Sequence, residues 1–204
     1  MPHMIGERIV LREYRQEDIP EIRKWVNDPD ITRGLSDVFT YPHSQTNSEA
    51  YVQMMIDGNS EIKGFVIAHK DTLDYIGQLD LFKINWMNRH ATLGIVIGRD
   101  DNLGKGYGHE AIRLLQKFVF HTLNLNRLEL EVYSYNERAY RCYLACGFKE
   151  EGRLRQKLFR EGQYYDIIQM GILRSEYEAA EQTTESSQNV QGNRQSSSCH
   201  VYME

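Results

Sequence analysis

The segment Ile95–Leu115, IVIGRDDNLGKGYGHEAIRLL, sets the architecture of the 204-residue chain. Its apolar start belongs to ATLGIVIG, Ala91 to Gly98, which reads as a strand. Glycines follow at Gly104, Gly106 and Gly108. They open a long helix over Gly108–Thr122, whose apolar stripe is Ala111, Ile112, Leu115, Phe118 and Val119. The first turn of a helix leaves backbone N–H groups unpaired, and the helix dipole adds partial positive charge there. Glycines let a ligand come close to such a backbone. A phosphate or diphosphate is the natural occupant of a junction of this kind.

Two familiar phosphate sites fit poorly. The ATP-type loop needs Gly-Lys followed by Ser or Thr, and Gly104-Lys105 is followed by Gly106. The dinucleotide fingerprint G-x-G-x-x-G would place its third glycine at His109. Glu129 or Glu131 supplies an acidic residue at a suitable distance, so that reading stays open. About ninety residues precede the segment, however, whereas the dinucleotide unit usually comes early in its own domain.

Outward from this junction the chain alternates elements. Upstream, RIVLRE (Arg8–Glu13) predicts a strand. Glu17–Asn27 predicts a helix with Ile19, Ile22, Trp25 and Val26 on one face, stopped by Asn27-Asp28-Pro29. A second helix begins near Ser48 and leaves through Asp57-Gly58-Asn59. Strands follow over Ile62–His69 and Tyr75–Lys83. Downstream come a strand Arg127–Ser134, a helix Asn136–Cys146, a short strand Phe148–Gly152 and a last strand Tyr164–Leu173. Antiparallel strands first, then strand–helix–strand–helix–strand, predict an α/β domain. Its single mixed sheet would be mostly antiparallel and flanked by helices.

Residues 1–180 carry this periodicity. Residues 181–204 are polar, and Val190 is the sole aliphatic residue between Thr183 and Ser198, so they read as a disordered or partner-ordered tail. Net charge is −5, without a long basic block, which argues against a nucleic-acid partner. No run approaches the roughly 18 apolar residues of a membrane span. The start shows no secretory leader, and three cysteines are too few for a disulfide scaffold. A cytoplasmic home, away from membranes, is expected.

A second motif lies about thirty residues beyond the glycines: NERAYRCYLACGF, Asn136 to Phe148. GKGYGHEA followed by N-x-R-A-x-x-x-Y-x-x-x-G-F resembles the GCN5-related N-acetyltransferase (GNAT) superfamily. The branch it most resembles holds bacterial ribosomal-protein N-terminal acetyltransferases and spermidine acetyltransferases. The resemblance spans nearly the whole periodic part of the chain.

That resemblance implies the fold of the family and acetyl-CoA as cosubstrate. It implies that Leu103, Gly104, Lys105, Gly106, Tyr107 and Gly108 wrap the diphosphate through main-chain amides. Leu103 stands where relatives often have Gln or Arg, and Lys105 can add charge. It also implies that the main chain of Leu93, Ile95 and Ile97 holds the pantetheine arm where two strands splay apart. Asn136 matches a position that bonds the cofactor arm, and it is equally a good N-cap. Tyr143 matches the tyrosine beside the cofactor sulfur. A phenol with a pKa near 10 can protonate a leaving thiolate at pH 7. Tyr140, one turn earlier, is the nearest alternative.

The base is less legible. An alkylammonium must lose a proton before it attacks, at a cost of roughly 4 kcal/mol at pH 7. Relatives commonly carry Glu where this chain has Thr92. His90, Asp80, Glu131 or a water chain are the remaining candidates. Cys142 and Cys146 lack the second ligand pair that zinc would need, and no metal is expected. Tyr51, Trp86 and Tyr164-Tyr165 read as core or groove residues. Asp28, Asp30, Asp37 and Glu49 read as a solvated face on the acceptor side. The expected activity is direct transfer of acetyl from acetyl-CoA to a primary amine: a protein N-terminus, a polyamine or another small molecule. The alternatives are an acyl-CoA sensor without turnover and a nucleotide-dependent oxidoreductase. A homodimer is the default assembly.

Overall fold

The computed structural model describes residues 4–58, 60–98 and 100–183. One eight-stranded sheet organises them, in the order β1-β2-β3-β4-β5-β6-β8-β7. The strands are β1 (Met4–Ile5), β2 (Ile9–Arg12), β3 (Lys63–His69), β4 (Tyr75–Asn85), β5 (His90–Ile97), β6 (Arg127–Tyr133), β7 (Lys149–Arg160) and β8 (Gln163–Leu173). Neighbours run antiparallel except β5 and β6, which are parallel. The mixed, mostly antiparallel sheet thus has the predicted form. The tight turns β3–β4, β4–β5 and β7–β8 join antiparallel neighbours, and the helical connection from β5 to β6 returns parallel.

Two apolar layers cover the sheet. On one face α4 (Tyr107–Lys117) and α5 (Glu137–Ala145) pack Ala111, Ile112, Leu115 and Tyr143 against Leu79, Leu81, Ala91 and Leu130. On the other face α1 (Ile19–Trp25) and α3 (Gln45–Asp57) pack Ile22, Trp25 and Val52 against Val10, Val66 and Val96. Alternation along each strand sends successive side chains to opposite layers.

Several elements depart from the sequence expectations. The helix expected over Glu17–Asn27 is a 3-10 turn, Gln16–Asp18, running into α1. Pro29 does not only stop a helix. With Asp28 accepting from the Asp30 amide, it opens the short α2 (Pro29–Thr32). The helix expected near Ser48 starts at Gln45, because Ser44 and Asn47 form a reciprocal capping box. The predicted helix Gly108–Thr122 begins at Tyr107 and finishes in a π-helical turn, Phe118–Thr122.

The largest difference is β7, which is a twelve-residue strand and not a short one. It is the sheet edge, paired to β8 alone. Edge strands carry charged side chains that discourage further pairing, so KEEGRLRQKLFR lacks an interior strand pattern. Residues 174–183 are helical. Residues 184–204, the bulk of the polar tail, lie outside the described residues.

Candidate active site

The site begins where two strands part. β5 and β6 pair through His90, Ala91 and Thr92 with Arg127, Leu128 and Glu129. Beyond that point β5 continues to pair with β4 up to Ile97, while β6 follows β8. The main chain of Leu93–Ile97 therefore has no strand partner on its β6 side among the described residues. The free length is about 13 Å at 3.3 Å per residue. Such an edge is a ready acceptor for an extended ligand.

A cavity of about 910 Å³ opens at this gap. Its wall includes Thr92, Leu93 and Ile95 of β5, Asp80 of β4, Tyr51 of α3 and Tyr143 of α5. Tyr143 belongs to the α4–α5 layer and Tyr51 packs with the α1–α3 layer. The parted strands let one space reach both faces of the sheet. Four carboxylates (Asp80, Glu129, Glu131, Glu151) and two cations (Lys83, Arg127) line it. Glu129 and Glu151 both accept from Arg127, and Lys157 stands 3.7 Å from Glu131.

Tyr143 is buried, its ring edge-to-face with Phe148 at 6.0 Å. Its hydroxyl has no hydrogen-bond partner among the described residues. Burial raises its pKa above the ordinary phenol value, so it stays protonated at neutral pH. Tyr140 is committed elsewhere: its hydroxyl donates to Glu150 at 2.8 Å.

The glycine turn lies past the end of β5, outside the cavity wall. Gly104 (φ 73°) and Gly106 (φ 83°) are in the left-handed region, which side chains with a Cβ avoid. Gly106 is the N-cap of α4, and no side chain accepts from the first amides of the helix. Gly108 sits inside the helix; a Cβ there would meet only ordinary contacts with Ile97 and Ile95 at 3.9 and 4.0 Å. Lys105 is exposed, and Leu103 and Tyr107 are half-buried.

Sequence reading does not single out Arg8, which clasps this turn. Its guanidinium donates to the Lys105 carbonyl at 2.7 Å and pairs with Glu110 at 3.0 Å. It also stands over the Tyr107 ring at 5.0 Å. Glu110 in turn accepts from the Arg8 and Ile9 amides, which tie α4 to β2. No motif marks Arg8, because its partners lie about a hundred residues away.

Asn136 caps α5, its Oδ1 accepting from the Ala139 amide at 3.2 Å. Of the residues expected to bind the cofactor, Leu93, Ile95 and Tyr143 share the cavity. Ile97, the turn Leu103–Gly108 and Asn136 stand outside its wall.

The base candidates separate. Thr92 sits where the strands part. His90 is not in the cavity wall and has its Nδ1 3.7 Å from Glu129. Glu131 is exposed. Asp80 is 6% exposed and accepts from Tyr14 at 2.8 Å, Tyr51 at 3.0 Å and Gln78 at 3.4 Å. Burial pushes its pKa up to about 6, against the opposing pull of those three donors.

Two aromatic expectations are corrected. Trp86 and Tyr164 are exposed, neither core nor groove. Trp86 falls in the β4–β5 turn, and Tyr164 stands at the start of β8 against Phe159. Asp37 pairs with Arg160 at 3.0 Å and Glu49 accepts from Gln45, both on the surface. Among the described residues no cluster of His, Cys, Asp and Glu is placed to hold a metal ion, and no helix is long and apolar enough to cross a membrane.

Residues 8–149 match the acetyltransferase (GNAT) domain model. The chain is 30% identical to a spermidine N(1)-acetyltransferase of Vibrio cholerae over 174 residues, covering 85% of this chain and 97% of that one. It is likewise 30% identical to the uncharacterized N-acetyltransferase p20 of Bacillus licheniformis, over 87% of this chain and 99% of the relative. The crystal structure of the Vibrio cholerae spermidine N-acetyltransferase with CoA and spermine superposes with a TM-score of 0.74 at 29% identity. That match covers 84% of this chain and 99% of the other. Neither the oxidoreductase nor the sensor alternative gains support from these matches. A glycine turn ahead of α4, an open strand edge beside it and a family match across both place the chain in the GNAT acetyltransferase family, as an N-acetyltransferase that takes acetyl from acetyl-CoA to an amine.

Proposed function

We propose that the acceptor is a small aliphatic polyamine of the spermidine kind. The observation that carries this reading is the cavity at the strand gap, where carboxylates outnumber cations. A cationic acceptor gains from such a wall, and an acidic or neutral one does not. The similarity to spermidine acetyltransferases points the same way.

In this reading the amides of the turn Leu103–Gly108 receive the diphosphate, with Lys105 adding charge. The free edge of Leu93, Ile95 and Ile97 holds the pantetheine arm as a strand would. Asn136 sets the start of α5 and so the position of Tyr143. An edge amide of β5 is the donor to the developing oxyanion. Attack of the amine nitrogen on the thioester carbon forms the C–N bond and then breaks the C–S bond. Tyr143 donates its proton to the leaving thiolate, and the nitrogen returns one to the phenolate. The working unit is residues 1–180, with 181–204 as an appendage. The unpaired thiols Cys142 and Cys146 agree with a reducing cytoplasm. The net negative charge agrees with function away from nucleic acid, and a homodimer is the assembly that goes with this reading.

The test is free-thiol release from acetyl-CoA with spermidine, spermine, simple alkylamines and a peptide N-terminus. Spermidine-type amines should turn over fastest. Turnover of the peptide alone would reject the polyamine reading. Tyr143→Phe should lower kcat roughly a hundredfold while calorimetry shows unchanged acetyl-CoA affinity. Full activity in that variant would remove Tyr143 from the chemistry.

A further inference from the structure

Asp80 is a buried carboxylate for which the fold makes costly room. It lies on β4 opposite Gly64 of β3 and Gly94 of β5. A Cβ on Gly64 would come within 1.9 Å of its Oδ1, so only glycine admits the carboxylate there. Gly94 leaves no side chain between Asp80 and the free edge of β5. A Cβ at Gly94 would strike the Phe82 ring at 2.6 Å.

The hydrogen bonds around it point one way. Trp25 Nε1 donates to the Tyr75 hydroxyl at 3.0 Å, and Tyr75 donates to Gln78 Oε1 at 3.2 Å. This orients the Gln78 amide so that its Nε2 donates to Asp80. Tyr14 and Tyr51 complete a cage of three donors. A carboxylate offers about four acceptor positions. The fourth is left for something in the cavity. A buried carboxylate normally has a cation beside it, and among the described residues none is paired with Asp80.

We propose that Asp80 receives the reacting ammonium of the acceptor and takes its proton, the role that Thr92 cannot fill. The inference rests on the acceptor being an amine, as above. Its balance is simple. The ammonium gives one proton to the carboxylate and becomes a free amine. The amine nitrogen forms the C–N bond as the C–S bond breaks, and its second proton ends on the thiol. Asp80 then returns its proton to solvent. Burial holds the group at about 6, so it is ionised at pH 7 yet more basic than an exposed aspartate. The titratable groups facing it are Tyr14, Tyr51 and Tyr75. β3 and β5 face it with glycines and α1 with Trp25. His43 lines the same cavity, hydrogen-bonded to the Val38 carbonyl.

The experiment follows spermidine acetylation from pH 5.5 to 10 in the parent, Asp80→Asn and Tyr51→Phe, with acetyl-CoA affinity by calorimetry. Asp80→Asn should lose about a hundredfold in kcat at pH 7, keep its acetyl-CoA affinity, and recover much of the loss near pH 10, where the amine is already free. Removing one donor in Tyr51→Phe should move the acid limb of the rate profile to higher pH. A loss in Asp80→Asn that is equal at every pH, or no loss, overturns the proposal while the parent still works. Should Asp80→Asn fail to bind acetyl-CoA, an unmoved acid limb in Tyr51→Phe overturns it instead. A parent that acetylates no amine rejects the acceptor reading and this inference together.

Discussion

The two ends of the site are built from different materials. The end proposed for the cofactor is main chain: two left-handed glycines, a helix start without a side-chain cap and an open strand edge. The end proposed for the acceptor is side chains: Tyr14 from the loop after β2, Tyr51 from α3, and Gln78 and Asp80 from β4, held by hydrogen bonds. A backbone device tolerates wide sequence change, provided the glycines stay. A side-chain device can be retuned residue by residue, which suits a scaffold that serves many acceptors. The acceptor end also carries the buried ionic burden. The Arg12–Asp18 pair, 3% exposed on both sides and bidentate at 2.7 and 2.8 Å, locks the strand that leads to Tyr14 against the start of α1.

The contrast can be broken most forcefully at that pair. Removing one partner leaves the other charge buried and alone, at a cost of about 3–5 kcal/mol. Arg12→Ala should lower Tm by roughly 10 °C in a thermal melt. A shift of a degree or two would show that the pair does not hold the acceptor wall.

At the cofactor end, Gly106→Ala forces a Cβ into φ 83° and costs about 1–2 kcal/mol. Acetyl-CoA affinity should fall with it, because the amides lose their aim. Gly108→Ala, whose Cβ would meet only ordinary contacts, should change that affinity far less. Equal losses at both positions would mean that the turn acts through space-filling, not through its backbone.

A pH series separates function from stability. The Asp80 carboxyl is lifted from 3.8 to about 6 in the folded chain, so its charge destabilises the fold above pH 6 and has no effect below both values. Asp80→Asn should therefore gain on the parent as pH rises from 4 through 6, by about 3 kcal/mol in all, and hold that gain above pH 6. Melts at pH 4 and pH 8 would measure it. A variant less stable at pH 8 than at pH 4, relative to the parent, would contradict the buried, unpaired charge.

The strands and helices that carry apolar periodicity were readable in advance, including α4, α5 and the strand that meets the glycines. Their signals are local: alternation, a 3.6-residue stripe, a cap at Asn136. β7 was not readable at its true length, because an edge strand is charged on purpose. Asp80 could be named as one carboxylate among several, but nothing in QLDLF says that it is caged by Tyr14 and Tyr51, 66 and 29 residues away. Arg8 has the same difficulty, since its targets are Lys105 and Glu110.

By itself, then, the sequence determined what short-range geometry controls: the order of elements, the turn that cannot bear side chains at two positions, and the helix that presents Tyr143. Tertiary structure alone decided where β5 and β6 part, which carboxylate ends in a cage without a cation, and which ends on the surface beside a lysine. The physical reason is range. Backbone conformation is chosen by neighbours along the chain, whereas desolvation and hydrogen bonding of a side chain are set by whatever the fold brings to it.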